Sequence, residues 1–222
     1  LRIAKPSPAP YAFGDNEETA MRHSDEALIV IDVQNDFCPG GALAVNGGDE
    51  IIPRINALMA EFQVVVLTQD WHPPSHSSFA VNHAGKAPFE SIELAYGSQT
   101  LWPAHCVWGS EGAAFHPALH TDPADLILRK GFREAIDSYS AFFENDRATA
   151  TGLHGYLQER GVKKVTLVGL ATDFCVGFSA LDAARLGYDT TILQAACRAI
   201  DLGGSLAATK SATIAAGVRW LD

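Results

Sequence analysis

Two stretches, Leu28-Ile29-Val30-Ile31 and Val64-Val65-Val66-Leu67, are apolar at every position. A strand with one wet face alternates apolar and polar residues, so unbroken runs rich in β-branched side chains imply strands covered on both faces. The two runs sit within β-rich segments at residues 27–33 and 63–68, and similar segments follow at 126–128, 164–169 and 190–193. Helical patterns at 49–61, 148–160 and 173–186 fall between them, with Gly161 and Gly187 placed as C-caps of the last two. A further helix at 203–213 leads into a candidate last strand at 217–220. This alternation predicts an α/β fold, an open three-layer α/β/α domain with a mainly parallel sheet, over residues 27–222. No internal repeat or linker divides it. The connection 71–123 is long and rich in Pro, Gly, Ser and His, and so long a loop inside a compact domain is usually functional.

Residues 1–26 read as a flexible leader carrying prolines and an acidic cluster. Within it, residues 1–20 are expected to derive from an expression vector, with Met21 the natural start. The leader lacks the apolar stretch of a secretory signal, and no segment approaches the roughly 18 apolar residues that span a bilayer. A formal net charge of −10 argues against nucleic acid and anionic membrane surfaces as partners. A small neutral or weakly polar substrate fits better. The four cysteines, Cys38, Cys106, Cys175 and Cys197, show no C-x-x-C spacing, which suits a reducing cytoplasm.

Open parallel sheets bind ligands outside the carboxyl ends of their strands. Asp32 closes the first expected strand, Asp70 follows the second, Lys130 the third, and Cys175 lies just past the fourth. Cys175 falls in the first turn of an expected helix, with Thr172 or Asp173 as N-cap, where backbone N–H groups and the helix dipole favour a thiolate. A neighbouring Lys130 would favour it further, and Asp32 could carry the thiol proton to a leaving amine. The alternatives are a buried, inert cysteine, a structural Asp32–Lys130 ion pair, and, with Arg129 beside it, a Lys130 that merely belongs to a basic loop.

A second group is Asp70-Trp71-His72-Pro73, where a D-x-H tripeptide at a strand end puts a carboxylate and an imidazole on one side of the chain. His105, in Trp102-Pro103-Ala104-His105-Cys106, can add a third ligand. One carboxylate and two histidines leave coordination positions open, which suits Zn²⁺, with Fe²⁺ and Mn²⁺ as alternatives. The competing reading is loop histidines that bind nothing, and it stands for His23, His83, His116, His120 and His154.

Five segments together carry a resemblance: Asp32-Val33-Gln34-Asn35-Asp36-Phe37, Asp70-Trp71-His72-Pro73, Trp102-Pro103-Ala104-His105-Cys106, Arg129-Lys130-Gly131 and Gly169-Leu170-Ala171-Thr172-Asp173-Phe174-Cys175-Val176. In that order they resemble the nicotinamidases of the isochorismatase-like hydrolase superfamily, and the likeness runs from Ala27 to the C-terminus. It implies a cysteine amidase that hydrolyses nicotinamide to nicotinate and ammonia, accepts pyrazinamide, and serves pyridine nucleotide salvage. It implies a triad of Cys175, Asp32 and Lys130, and one divalent metal on Asp70, His72 and His105 that anchors the pyridine nitrogen. A cis peptide before Ala171 would direct the N–H groups of Ala171 and Cys175 at the oxyanion. Phe37, Trp102 and Tyr139 would line the ring site, with ordinary core packing as their alternative. His76 and Ser78 lie where some relatives recruit a further ligand, and His76 is expected to back the ligands or face the substrate. A homo-oligomer is a family trait. Cys38 and Cys106 are close enough to the motifs that a thiol reagent is expected to label them along with Cys175. The rivals are another amidase of the superfamily, such as an isochorismatase or a carbamoyl-amide hydrolase, and a catalytically silent metal-binding module on the same fold.

Overall fold

The computed structural model describes residues 25–222, so the leader expected at residues 1–26 lies outside it except for Asp25 and Glu26. The chain forms β1 (Glu26–Ile31), α1 (Ile52–Met59), β2 (Val64–Asp70), a hairpin of β3 (Ser91–Leu94) and β4 (Gly97–Thr100), and β5 (Leu126–Lys130). It continues through α2 (Leu153–Glu159), β6 (Lys164–Leu170), α3 (Gly177–Arg185), β7 (Asp189–Arg198), α4 (Ser205–Ala215) and β8 (Arg219–Leu221).

Six of these strands make one sheet in the order β5-β2-β1-β6-β7-β8, and every neighbouring pair is parallel. The unbroken apolar runs are its centre. Residues 27–31 of β1 and all of β2 are buried. The chain moves from β1 to β2 and β5 on one side, then crosses to β6, β7 and β8 on the other. Parallel crossovers are right-handed, so this reversal puts α1 on one face and α3 and α4 on the opposite face. The strand order switches between β1 and β6, where an open α/β sheet leaves a crevice at its carboxyl end.

Hydrogen bonds pin the strand ends around that crevice. Gln34 is fully buried and its amide clamps two strands: Nε2 donates to the carbonyls of Asp70 and Ala113, each at 2.8 Å, and Oε1 accepts from the Asp70 N–H at 2.8 Å. Between β1 and β6, a side chain at Gly169 (φ +115°) would overlap the Ile31 backbone, so glycine there permits the close approach. The long connection after β2 is ordered onto the sheet. The His72 N–H donates to the Cys106 carbonyl at 3.0 Å, and the Trp108 N–H returns to the His72 carbonyl at 2.9 Å. The antiparallel β3–β4 hairpin grows out of this connection, separate from the main sheet.

Candidate active site

Asp32 leaves β1 in a left-handed conformation (φ +48°) that is uncommon for any residue with a side chain. The turn aims its carboxylate back across the sheet, where Oδ1 accepts from the Thr68 hydroxyl at 2.6 Å. Oδ2 lies 2.9 Å from Lys130 Nζ yet makes no well-aligned hydrogen bond among the described residues. Lys130 is the last residue of β5, not a loop residue beyond it. The pleat resolves the basic-loop alternative: Lys130 points inward and is fully buried, whereas Arg129 points outward, stacks 3.8 Å over the Trp71 ring and bonds Gln69.

Four groups surround the Lys130 ammonium: Asp70 Oδ1 at 2.5 Å, Ser138 O at 2.8 Å, Asp32 Oδ2 at 2.9 Å and Cys175 Sγ at 3.5 Å. Burial alone would lower its pKa, but the two carboxylates and the sulfur outweigh that and hold it well above the ordinary lysine value. The site therefore contains a permanent positive charge in contact with the sulfur.

Cys175 sits in a single π-type turn, Thr172–Val176, that runs directly into α3. Neither Thr172 nor Asp173 caps this turn with its side chain; Ala171 occupies the cap position without a side-chain bond. The Asp173 carboxylate points away and accepts from Ile200 N at 3.0 Å, Asp201 N at 2.8 Å and the Ser205 hydroxyl. The thiol also differs from the sequence expectation. Burial pushes its pKa well above the usual range; Lys130 pulls it back, while Asp32 and Asp70 push it up. At rest the sulfur keeps its proton. Burial and the nearby Asp70 raise the Asp32 pKa against the opposing pull of Lys130. The Leu170–Ala171 peptide is cis, as the resemblance implies.

The metal trio converges. Ligand atoms of Asp70, His72 and His105 all lie within 4.8 Å of one another, with Asp70 Oδ2 3.5 Å from His72 Nε2 and 3.9 Å from His105 Nε2. Both imidazoles are held from behind: His72 Nδ1–H donates to the Gly131 carbonyl at 2.7 Å and His105 Nδ1–H to the Pro103 carbonyl at 2.8 Å. Both Nε2 atoms therefore face the carboxylate, the arrangement in which backbone carbonyls orient metal-bound histidines. Burial and the nearby His72 hold His105 down at about 4, so it is neutral and free to ligate near pH 7. Burial opposes the charged form of His72, but Asp70 overrides this and raises it. Asp70 itself is held below the carboxylate range: burial works against its charge, and Lys130 and His72 prevail. An oxygen and two imidazole nitrogens with a common focus fit a divalent ion.

His76 lies outside this trio, but with His72 and Asp137 it forms a second group whose ligand atoms lie within 4.8 Å of one another. Its Nδ1 pairs with the Ser78 hydroxyl at 2.7 Å and its Nε2 lies 3.3 Å from the Ile136 carbonyl, so both nitrogens are engaged, although the ring sits 4.3 Å from that of His72. Cys38 and Cys106 are buried, and burial raises both thiols, Cys38 to about 11, as it does that of Cys175; of the three, Cys175 alone lines the pocket at the site.

A pocket opens onto the sulfur. Phe37, Trp102, Tyr139, Ala171, Cys175, Asp70 and His105 all line it, so the structure gathers every aromatic named from the sequence. Trp102 meets Phe174 edge-to-face at 4.9 Å, and Phe37 lies 5.4 Å from the His105 ring. Leu43, Asp137, Phe174 and Ile200 complete the wall, and sequence reasoning missed all four. Phe174 adjoins Cys175 and was discoverable from the motif. Asp137 sits in a loop with no regular pattern, and no local signal marks it.

Comparison with known proteins places these features in context. A family model described as "Isochorismatase domain" matches residues 26–220. A nicotinamidase from Acinetobacter baylyi is 56% identical over 203 residues, which is 91% of this chain and 95% of that protein. A solved structure described as an Acinetobacter baumannii nicotinamidase and pyrazinamidase superposes with a TM-score of 0.90 at 55% identity, covering 90% of this chain and 97% of that one. A Pyrococcus horikoshii pyrazinamidase in complex with zinc superposes at TM-score 0.72 with 34% identity, covering 89% and 99%.

Proposed function

The chain belongs to the isochorismatase domain family, and on that premise we propose that its pocket hydrolyses nicotinamide to nicotinate and ammonia through a Cys175 thioester. The observation that carries the reading is the contact of Lys130 Nζ with Asp32, Asp70 and Cys175 at once, which joins the nucleophile to its base and to the metal trio.

The geometry supports the following order of events. Asp32 Oδ2, 2.9 Å from Lys130 Nζ, takes the thiol proton as Cys175 Sγ attacks the amide carbon. The N–H groups of Ala171 and Cys175 hold the oxyanion, and Lys130 stabilises the charge that passes between sulfur and carboxylate. Asp32 returns its proton to the amide nitrogen, so the C–N bond breaks and ammonia leaves a thioester. A water then gives its proton to Asp32 and adds to the thioester carbon. Collapse returns a proton to the sulfur and frees nicotinate. Phe37, Trp102 and Tyr139 enclose the ring. Asp70, His72 and His105 would hold the divalent ion, which supplies a Lewis-acid anchor for the pyridine nitrogen; zinc is our assignment, supported by the donor set and by the zinc-bound relative. Pyrazinamide retains both the ring nitrogen and the carboxamide and is accepted as well. The four free cysteines suit a reducing cytoplasm, and no helix among the described residues is long and apolar enough to cross a membrane.

Ammonia release from nicotinamide is the test. Wild type should turn over, and Cys175→Ala should lose at least about 10⁴-fold in kcat. Equal rates from the two would remove the sulfur from its role. Chelation should abolish turnover, with zinc restoring it.

A further inference from the structure

We propose that Gln99, on the hairpin outside the main sheet, is a positioning residue that sets the substrate-binding wall of the pocket; this rests on the nicotinamidase reading above. Of the eight residues in β3 and β4, Gln99 alone is buried, at 1% exposure. A hairpin that served only to pack would bury an apolar side chain at that position, because a buried amide gains nothing unless its hydrogen bonds are met.

Those bonds lead to the pocket. The two hydrogens of Gln99 Nε2 are shared among three acceptors, Asp137 Oδ2 at 2.9 Å, the Tyr139 hydroxyl oxygen at 3.0 Å and the Thr100 carbonyl at 2.7 Å. Its Oε1 accepts from the Tyr96 hydroxyl at 3.0 Å and from Asn145 Nδ2 at 3.2 Å. Asp137 and Tyr139 line the pocket, whereas Gln99 does not. The Trp102 indole N–H donates to the same Tyr139 oxygen at 3.0 Å, so this one amide links three wall residues. With two donors directed at it, the Tyr139 oxygen has its acceptor positions filled, and its own hydrogen is left to donate elsewhere. Gln99 thus fixes the Trp102 and Tyr139 rings and holds the Asp137 carboxylate in place, without touching the reacting atoms.

Such a residue acts on binding more than on chemistry, and this separates it from a merely structural one. Gln99→Leu removes both halves of the amide. Gln99→Glu is nearly isosteric, keeps an acceptor for Tyr96 and Asn145, and abolishes the donor toward Asp137 and Tyr139. Both variants should raise KM for nicotinamide and Kd for nicotinate by about tenfold, with kcat at saturation within about threefold of wild type. Steady-state ammonia release gives the first two quantities and titration calorimetry the third. If Gln99→Leu fails to fold, Gln99→Glu carries the test alone. KM and Kd within about twofold of wild type in a folded variant would overturn the assignment, as would a fall in kcat with KM unchanged. A wild type that releases no ammonia from nicotinamide would sink the function itself, a result distinct from either.

Discussion

A buried lysine between two buried aspartates concentrates the electrostatics of this molecule in one side chain. Removing one member of such a cluster strands the others, and an uncompensated buried charge costs about 3–5 kcal/mol. Lys130→Met keeps the length and deletes the charge, so it should lower unfolding stability in urea by about that amount near pH 7. The same variant should lose activity even where it stays folded, because the sulfur is left beside two carboxylates with no cation in contact. At this scale the sequence was most informative where a residue type has few uses at a strand end. Asp32, Asp70, His72, Lys130 and Cys175 could be singled out for that reason, whereas His105 lies in the long connection and was found as a further ligand type. Their protonation was not legible, since the burial that pushes the Cys175 thiol up depends on elements distant in the chain. Gly131 was quoted only as a neighbour of Lys130. In the fold it has φ +65°, and a Cβ there would overlap the His72 ring that its carbonyl orients.

The elements are held together at the mouth of the site by side chains that sequence reading assigned elsewhere. Asp173 was a candidate cap for its own helix. In the structure its carboxylate secures the stretch from Ile200 to Ser205, and its carbonyl accepts from the Thr209 hydroxyl of α4 at 2.9 Å. Ile200 lines the pocket, so Asp173→Ala should raise KM as well as lower the melting temperature. Losing hydrogen bonds to a buried carboxylate at about 1.5–3 kcal/mol each, partly offset by relaxation, predicts a fall of several degrees by calorimetry. The strands were readable because near-continuous apolar runs have no other use in a chain of this composition. The first three helices came out shorter than their patterns, as at Ile52–Met59 against residues 49–61, since amphipathic spacing continues into frayed and turn residues. The β3–β4 hairpin was not read at all: β3 alternates over only four residues, β4 is polar throughout, and its one fully buried side chain is an amide.

Across the whole molecule, two carboxylates of opposite tuning separate activity from stability on acidification. Asp70 has a depressed folded-state pKa, so its contribution to stability is complete above its unfolded value of about 3.9 and is lost as pH falls below that. Asp32 has a raised folded-state pKa and takes up its proton at higher pH, which adds slightly to stability but removes the base. Urea melts should therefore show little loss of stability between pH 7 and about pH 5, while kcat/KM falls on an acid limb lying above about pH 4. A kcat/KM that held constant down to the pH of acid unfolding would contradict this. The position of the switch between β1 and β6 has one more consequence, and it concerns time. Asp32 leaves the first strand to be synthesised, and Cys175 arrives only after the fourth strand of the sheet has been made, so no early fragment of the chain holds both. Base and nucleophile become neighbours only through a pairing between distant parts of the chain, a slow kind of contact to close. During refolding, then, ammonia release cannot begin until the two halves of the sheet have met, and the enzyme's own turnover becomes a clock for that event.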